Sequence, residues 1–294
     1  MTRPEEQALA GATMQGEGRL PNFFVIGAMK AGTSSLYRYV SAHPDVFMPS
    51  DTKEPAFFAR NWKRGPEWYR SLFDEAGDAV AMGEASTSYT KYPTITMVPQ
   101  RMAGLVPGAR LIYLLRHPVE RMRSHYAWLA VHGNETRPID VALLDEPAYT
   151  AVSSYAMQIE RFLPFYDRDL FLLLTSEELR AEREQTLRRV FEFLGVDPGF
   201  RVPEVEREFN RTRDRRSGGA LVRGARRLPL VGRLSRSVPS SLKRAAARAL
   251  SRELPAPDTT LAPETERELV RRLASDVRRL RQYMRPDFDG WGLG

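Results

Sequence analysis

The chain contains no cysteine. Disulfides, thiolate metal sites and cysteine nucleophiles are therefore excluded together. Long apolar runs are missing too: none approaches the roughly 18 residues that a membrane span needs, and residues 1–20 lack the apolar stretch of a secretion signal. A soluble, cytoplasmic protein is expected. Lysine is scarce, with only Lys30, Lys53, Lys63, Lys91 and Lys243 among 44 basic residues. Arginine accounts for the rest and for most of the net charge of +7, spread along helical patterns where a solvated face explains it, so the few lysines carry more information. The four histidines, His43, His117, His125 and His132, show no metal-site spacing, and no metal is expected.

Apolar residues are plentiful. At 294 residues and 42% hydrophobic composition the chain can bury one substantial core, and a single domain is favoured. Strand-like runs at Phe23 to Ile26, Ala79 to Met82, Leu111 to Leu115 and Leu170 to Leu174 alternate with helical patterns. That alternation predicts an α/β fold, a central parallel sheet flanked by helices. The expected helices run from Thr33 to Ala42, from Arg183 to Leu194 with Gly195 ending it, and from Pro263 with Leu269, Leu273, Val277, Leu280 and Met284 on one stripe. Residues 1–20 read as a flexible tail and 21–294 as one domain, in which 211–256 is a basic insertion or lid and 257–294 a closing helix and tail.

One stretch stands out, Phe23-Phe24-Val25-Ile26-Gly27-Ala28-Met29-Lys30-Ala31-Gly32-Thr33-Ser34-Ser35-Leu36. It reads as a buried strand, a tight turn and a helix start, with a lysine inside the turn. Unsatisfied N–H groups at a helix N-terminus bind anions, and small residues let the backbone approach a phosphate closely. In a nucleoside-triphosphatase P-loop the lysine follows the last glycine and a hydroxyl holds magnesium. Here the lysine precedes Gly32 by two residues and the residue after that glycine is Thr33. A shorter phosphate chain fits this geometry better than ATP.

The loop resembles the 5′-phosphosulfate loop of sulfotransferases that use 3′-phosphoadenosine 5′-phosphosulfate (PAPS), and its closest pattern is that of the heparan-sulfate N- and O-sulfotransferases and their bacterial relatives. A second segment, Arg110 to Tyr126, is similar to the 3′-phosphate motif of the same family, a strand ending in Arg116-His117-Pro118 with Ser124 eight residues after Arg116. Independently of the family, Leu111 to Leu115 reads as a strand covered on both faces, and Arg116 at its C-terminal end lies where open α/β sheets bind ligands. The resemblance continues through Lys53 to Phe58 and Gly83 to Tyr89, and spans roughly residues 21 to 290.

The resemblance implies a P-loop-like sulfotransferase fold and sulfuryl transfer from PAPS to an acceptor hydroxyl on a carbohydrate, lipid or secondary metabolite. Donor contacts fall on Lys30, Ala31, Gly32, Thr33, Ser34, Ser35, Arg116 and Ser124. Lys30 stabilises the leaving phosphate, and Glu54 is the expected general base. Lys53, Glu84, Tyr155 and Arg216 are further candidates for substrate or donor contacts. Two departures from the heparan-sulfate pattern are visible, alanine at 56 where that family has histidine and alanine at 85 where it has lysine. The four histidines are the other base candidates; of these, His43 and His117, each before a proline, read as helix-terminating and turn residues. His125 points about 100° away from its neighbour Ser124 on a helix.

Two other functions compete. A kinase or nucleotide hydrolase with a degenerate P-loop would need magnesium. A polyanion-binding module would use the arginine-rich stretch 211–252, which can also meet an anionic surface. The expected partners are a small-molecule or glycan acceptor and no specific nucleic acid; oligomeric state is not encoded in any motif.

Overall fold

The computed structural model describes residues 19–203 and 257–293. The stretch 211–252 with Arg216, and most of the expected N-terminal tail, lie outside the described residues.

Five parallel strands form one sheet. β1 (Phe23–Gly27), β2 (Val46–Phe47), β3 (Ala81–Glu84), β4 (Arg110–Leu115) and β5 (Phe171–Thr175) stand in the order β2-β3-β1-β4-β5. Every residue of β1 is buried, as an apolar central strand covered on both faces should be. β2 was not anticipated: its two residues are too short to show a periodicity. β3 runs from residue 81 to 84 rather than from 79 to 82, so Glu84 becomes the last residue of an inner strand.

The chain then winds helices over both faces. α1 (Thr33–Val40) follows β1, α2 (Gly65–Ser71) precedes β3, and α3 (Val98–Leu105) leads into β4. α1 ends two residues earlier than its pattern suggested, with Ser41 as its C-cap. After β4 come α4 (Pro118–Val131), α5 (Ile139–Asp145), α6 (Pro147–Ser153) and α7 (Tyr155–Glu160). β5 leads to α8 (Ser176–Ala181) and α9 (Arg183–Leu194), and the described chain closes with α10 (Pro263–Leu280).

The α10 stripe is buried at Leu269, Leu273, Val277 and Leu280. Leu269 and Leu273 join Val119, Met122, Ile139, Leu143 and Tyr149 in a second apolar cluster beside the main core. Asp276 of α10 also accepts the amides of Ala156 and Met157 at 3.0 and 2.9 Å, which satisfies two orphan donors at the start of α7. In this way the last helix clamps the segment behind β4. The C-terminal ends of β1, β3 and β4 then open onto one common edge, the usual place for a ligand crevice in such sheets.

Candidate active site

Between β1 and α1 the backbone makes a tight concave turn. The Ala28 amide donates to the Leu114 carbonyl at 2.7 Å, anchoring the start of the turn to β4. Gly32 has φ 97°, a conformation that costs a residue with a Cβ atom, and Lys30 adopts φ 72° in the same turn. A Cβ on Gly27 would stand 2.2 Å from Thr90 Oγ1 and 2.9 Å from the Tyr113 ring, so this position also needs glycine. The amides of Ser35 and Leu36 donate to the Gly32 carbonyl at 2.9 and 3.2 Å. Among the described residues the amides of Gly32, Thr33 and Ser34 meet no protein acceptor, which leaves a nest of donors at a helix N-terminus. Beneath the turn, the buried Ser176 hydroxyl bonds the carbonyls of Ala31 and Leu115.

Arg116 stands beside this turn. Its Nη1 lies 3.4 Å from the Lys30 carbonyl, so the two sequence motifs meet at one edge of the sheet. Burial lowers the pKa of its guanidinium, the nearby positive charge of Arg180 lowers it further, and Glu120 and Glu177 act in the opposite direction. The side chain pairs with Glu120 at 3.4 Å. A half-buried guanidinium at the C-terminal end of a strand is a donor that matches a phosphate bidentately. Ser124 is half-buried on α4, and among the described residues no hydrogen bond joins it to Arg116. Tyr155 is fully buried and donates to the Arg116 carbonyl at 2.8 Å. A candidate for substrate or donor contact in the sequence, it braces from within the core the strand end that carries Arg116.

The second half of the site comes from the segment after β2. Lys53 Nζ donates to Ser34 Oγ at 2.9 Å and lies 3.5 Å from Glu54 Oε1. Thr87 donates to Glu54 Oε2 at 3.0 Å. The Glu54 side chain is 33% exposed, so it is open to a ligand. A chain of contacts thus runs from the phosphate-type loop through Lys53 and Glu54 to the turn after β3.

Glu84 behaves differently from the expectation of a substrate contact. It is fully buried, and its carboxylate accepts hydroxyl hydrogen bonds from Tyr69 at 3.0 Å and from Ser86 and Tyr89. Burial pushes its pKa up to about 7, against the three hydroxyls that favour the charged form.

Thr90 and Arg121 on this edge were not singled out from the sequence, and Lys91 and the histidines were named there without a place in the site. Thr90 bonds the Ile26 carbonyl at 3.0 Å just before the loop, and Lys91 follows it, half-buried, with its pKa lowered by burial and by Arg60 while Glu54 raises it. Arg121 is completely buried; its Nε and Nη2 bond Ser153 and the Tyr149 carbonyl at 2.6 and 2.8 Å, and among the described residues it pairs with no carboxylate. His125 is driven down to about 3 by burial and then by Arg121, Lys91 and Lys30, which keeps its imidazole neutral. Only the scarcity of lysine could have pointed to Lys91. His43 is buried on its own side, where Nδ1 accepts the Asp45 amide and Nε2 lies 3.1 Å from the Asp197 carbonyl. His117 caps α4 by accepting the Glu120 amide.

The model of one protein family, described as the sulfotransferase domain, matches residues 20–215. The chain belongs to the sulfotransferase domain family. Among curated relatives, the bifunctional heparan sulfate N-deacetylase/N-sulfotransferase 2 of Bos taurus is 28% identical over 61% of this chain and 22% of its own length. The human heparan sulfate glucosamine 3-O-sulfotransferase 6 is 30% identical over 66% of this chain and 58% of its own. The matched part is therefore about a fifth of the first relative and somewhat over half of the second. Among solved structures, the sulfotransferase from Alicyclobacillus acidocaldarius superposes with a TM-score of 0.68 at 28% identity, covering 93% of this chain and 99% of that one. The α/β sulfotransferase fold expected from the sequence is the observed one. This sulfotransferase is related both to heparan-sulfate enzymes and to a bacterial sulfotransferase, without rank between them. Among its described residues no helix is long and apolar enough to cross a membrane.

Proposed function

We propose that the protein transfers a sulfuryl group from PAPS to an acceptor hydroxyl by in-line displacement, with Glu54 as general base and Lys30 beside the leaving phosphate. The observation that supports this best is the contact chain Ser34–Lys53–Glu54–Thr87, with steps of 2.9, 3.5 and 3.0 Å, because it puts a partly exposed carboxylate next to an anion-binding turn. The donor fits the residues present: the open amides of Gly32 to Ser34 suit a 5′-phosphate, and Arg116, aided by Ser124, suits a 3′-phosphate. When bound, it supplies the activated sulfuryl group.

The remaining work falls to the chain. Lys30 neutralises charge that develops on the departing oxygen, a task for a full positive charge inside a preorganised site. Glu54 takes the proton of the attacking hydroxyl, which raises the electron density on that oxygen as the new bond forms. Lys53, bonded to Ser34 and close to Glu54, holds the carboxylate in line with the turn.

The relatives' names point to a glycan acceptor. Ala56 and Ala85 stand where the heparan-sulfate pattern has histidine and lysine, so we keep the acceptor class at carbohydrate, lipid or secondary metabolite. The arginine-rich stretch 211–252 is proposed as a surface for anionic partners. A transfer screen with PAPS labelled in its sulfate, run over sugars, lipids and phenols in a chelator, tests the assignment. Labelled product without magnesium is expected. Label transfer from the γ-phosphate of ATP that requires magnesium would instead establish the kinase alternative.

A further inference from the structure

The backbone at Ala56 sets the problem. Its φ is +49°, a left-handed conformation that a residue with a Cβ adopts only when its surroundings hold it there. From that position the Ala56 carbonyl accepts the amides of Ala59, Arg60 and Asn61 at 3.2, 3.0 and 3.1 Å, which folds residues 56–61 into a compact turn two residues beyond Glu54. What holds Ala56 from the other side is a hydroxyl: its amide donates to Ser86 Oγ at 2.8 Å. Ser86 in turn donates its own proton to the buried Glu84 carboxylate. A hydroxyl whose proton is committed to a carboxylate has its lone pairs fixed in direction, so Glu84 decides where Ser86 can receive the Ala56 amide.

We infer that Glu84 is a positioning residue for the general base: its caged carboxylate locks Ser86, Ser86 locks the left-handed turn at Ala56, and that turn aims Glu54 at the acceptor. The inference rests on Glu54 being the base. Every contact of the cage fits the role. Tyr69 enters from α2 and stacks flat on Phe57 at 4.3 Å between ring centres, and Tyr89 closes the cage from the turn after β3 against Phe24 and Phe58. The Ala85 amide reaches the Lys53 carbonyl at 3.4 Å, so the end of β3 also grips the chain on the near side of Glu54. The groups facing Glu84 are the neutral hydroxyls of Tyr69, Tyr89 and Ser86, and the one charge acting on it is the Glu54 carboxylate, which raises its pKa.

In its ionised form Glu84 can only accept, and Ser86 must donate to it. With a proton on Oε2, the atom that Ser86 contacts, Glu84 donates to Ser86 and competes with the Ala56 amide for its lone pairs. Because burial raises its pKa to about 7, the lock engages as pH rises through neutrality.

The experiment follows consumption of PAPS labelled in its sulfate, with a mixed pool of sugars and phenols as acceptors and water as the last resort, for the full chain and for Glu84→Gln and Ser86→Ala. Wild-type kcat should rise about tenfold between pH 6 and 8. In Glu84→Gln it should fall at least thirtyfold and become flat across that range, while the KM for PAPS and the affinity for 3′-phosphoadenosine 5′-phosphate (PAP) stay within twofold. Ser86→Ala, which keeps the carboxyl, should lose at least tenfold in kcat with the same unchanged donor affinity, and it carries the test if Glu84→Gln does not fold. Variants with kcat within threefold of wild type, or a loss confined to donor KM, would overturn the inference. Should the wild type bind PAP yet consume no PAPS, the transfer assignment fails separately, and amide exchange at Ala56 decides the lock: tenfold faster in Glu84→Gln supports it, no change overturns it.

Discussion

The two halves of the site are built in different ways. On the donor side, residues 27–35 bind through main-chain amides fixed by a strand end, a left-handed glycine and a helix start, and only Lys30 and Arg116 add side-chain charge. On the acceptor side, residues 53–61 and 84–91 rely on side chains: Lys53 on Ser34, Thr87 on Glu54, Ser86 on the Ala56 amide, and Glu84 on Ser86. A backbone nest tolerates the loss of a single hydroxyl, because its donors belong to the chain itself. A network of side chains does not, and least of all at its buried Glu84–Ser86–Ala56 end, where a deletion leaves another buried polar group unpaired.

The sharpest way to break this contrast is Glu54→Gln. A lost general base should cost roughly 10²–10⁴ in turnover, measured with any acceptor the screen identifies, and should leave PAP affinity within twofold. A parallel loss of PAP binding would mean that the two halves are not separable. Next come Lys30→Ala and Arg116→Ala, each expected to weaken PAP by more than tenfold in calorimetry while thermal unfolding of the protein changes little.

The contrast also explains what could be read from the sequence. The donor turn lies within ten consecutive residues, and its chemistry follows from residue order alone: strand, small residues, lysine, helix start. Arg116 was legible for the same reason, being the residue that ends a continuous apolar strand. The acceptor half depends on contacts across long stretches of chain, 33 residues between Thr87 and Glu54 and 30 between Ser86 and Ala56, which no local pattern reports. Glu84 and Tyr155 were therefore named only as candidates for substrate or donor contact, because a resemblance marks a position without saying which way its side chain faces. Both are buried supports. β2, with two residues, left no periodicity to detect.

Stability against pH sharpens the comparison further. The folded-state pKa of Glu84 is raised from an ordinary 4.5 to about 7, so folding favours its protonated form. Its contribution to stability is fully present below pH 4.5 and is lost as pH rises through 7, a change of about 3 kcal/mol. Denaturant unfolding at pH 5 and pH 8 should show this difference in the wild type and lose it in Glu84→Gln. A slope with pH that is the same in both proteins would place the charge elsewhere. The smallest effect is expected from Gly27→Ala, where a methyl group pressed against Thr90 and Tyr113 should cost about 1–3 kcal/mol in the same unfolding experiment. Thr90→Ser, which removes only a methyl group, should leave PAP binding intact.

The central claim is that the turn between β1 and α1 holds the phosphate end of PAPS with Lys30 inside it. Calorimetric titration of the wild type and Lys30→Ala with PAP and with ATP tests it most directly. PAP binding should drop more than tenfold in the variant, and in the wild type ATP should bind far more weakly than PAP. Equal affinity for ATP and PAP, or PAP binding indifferent to Lys30, would contradict it.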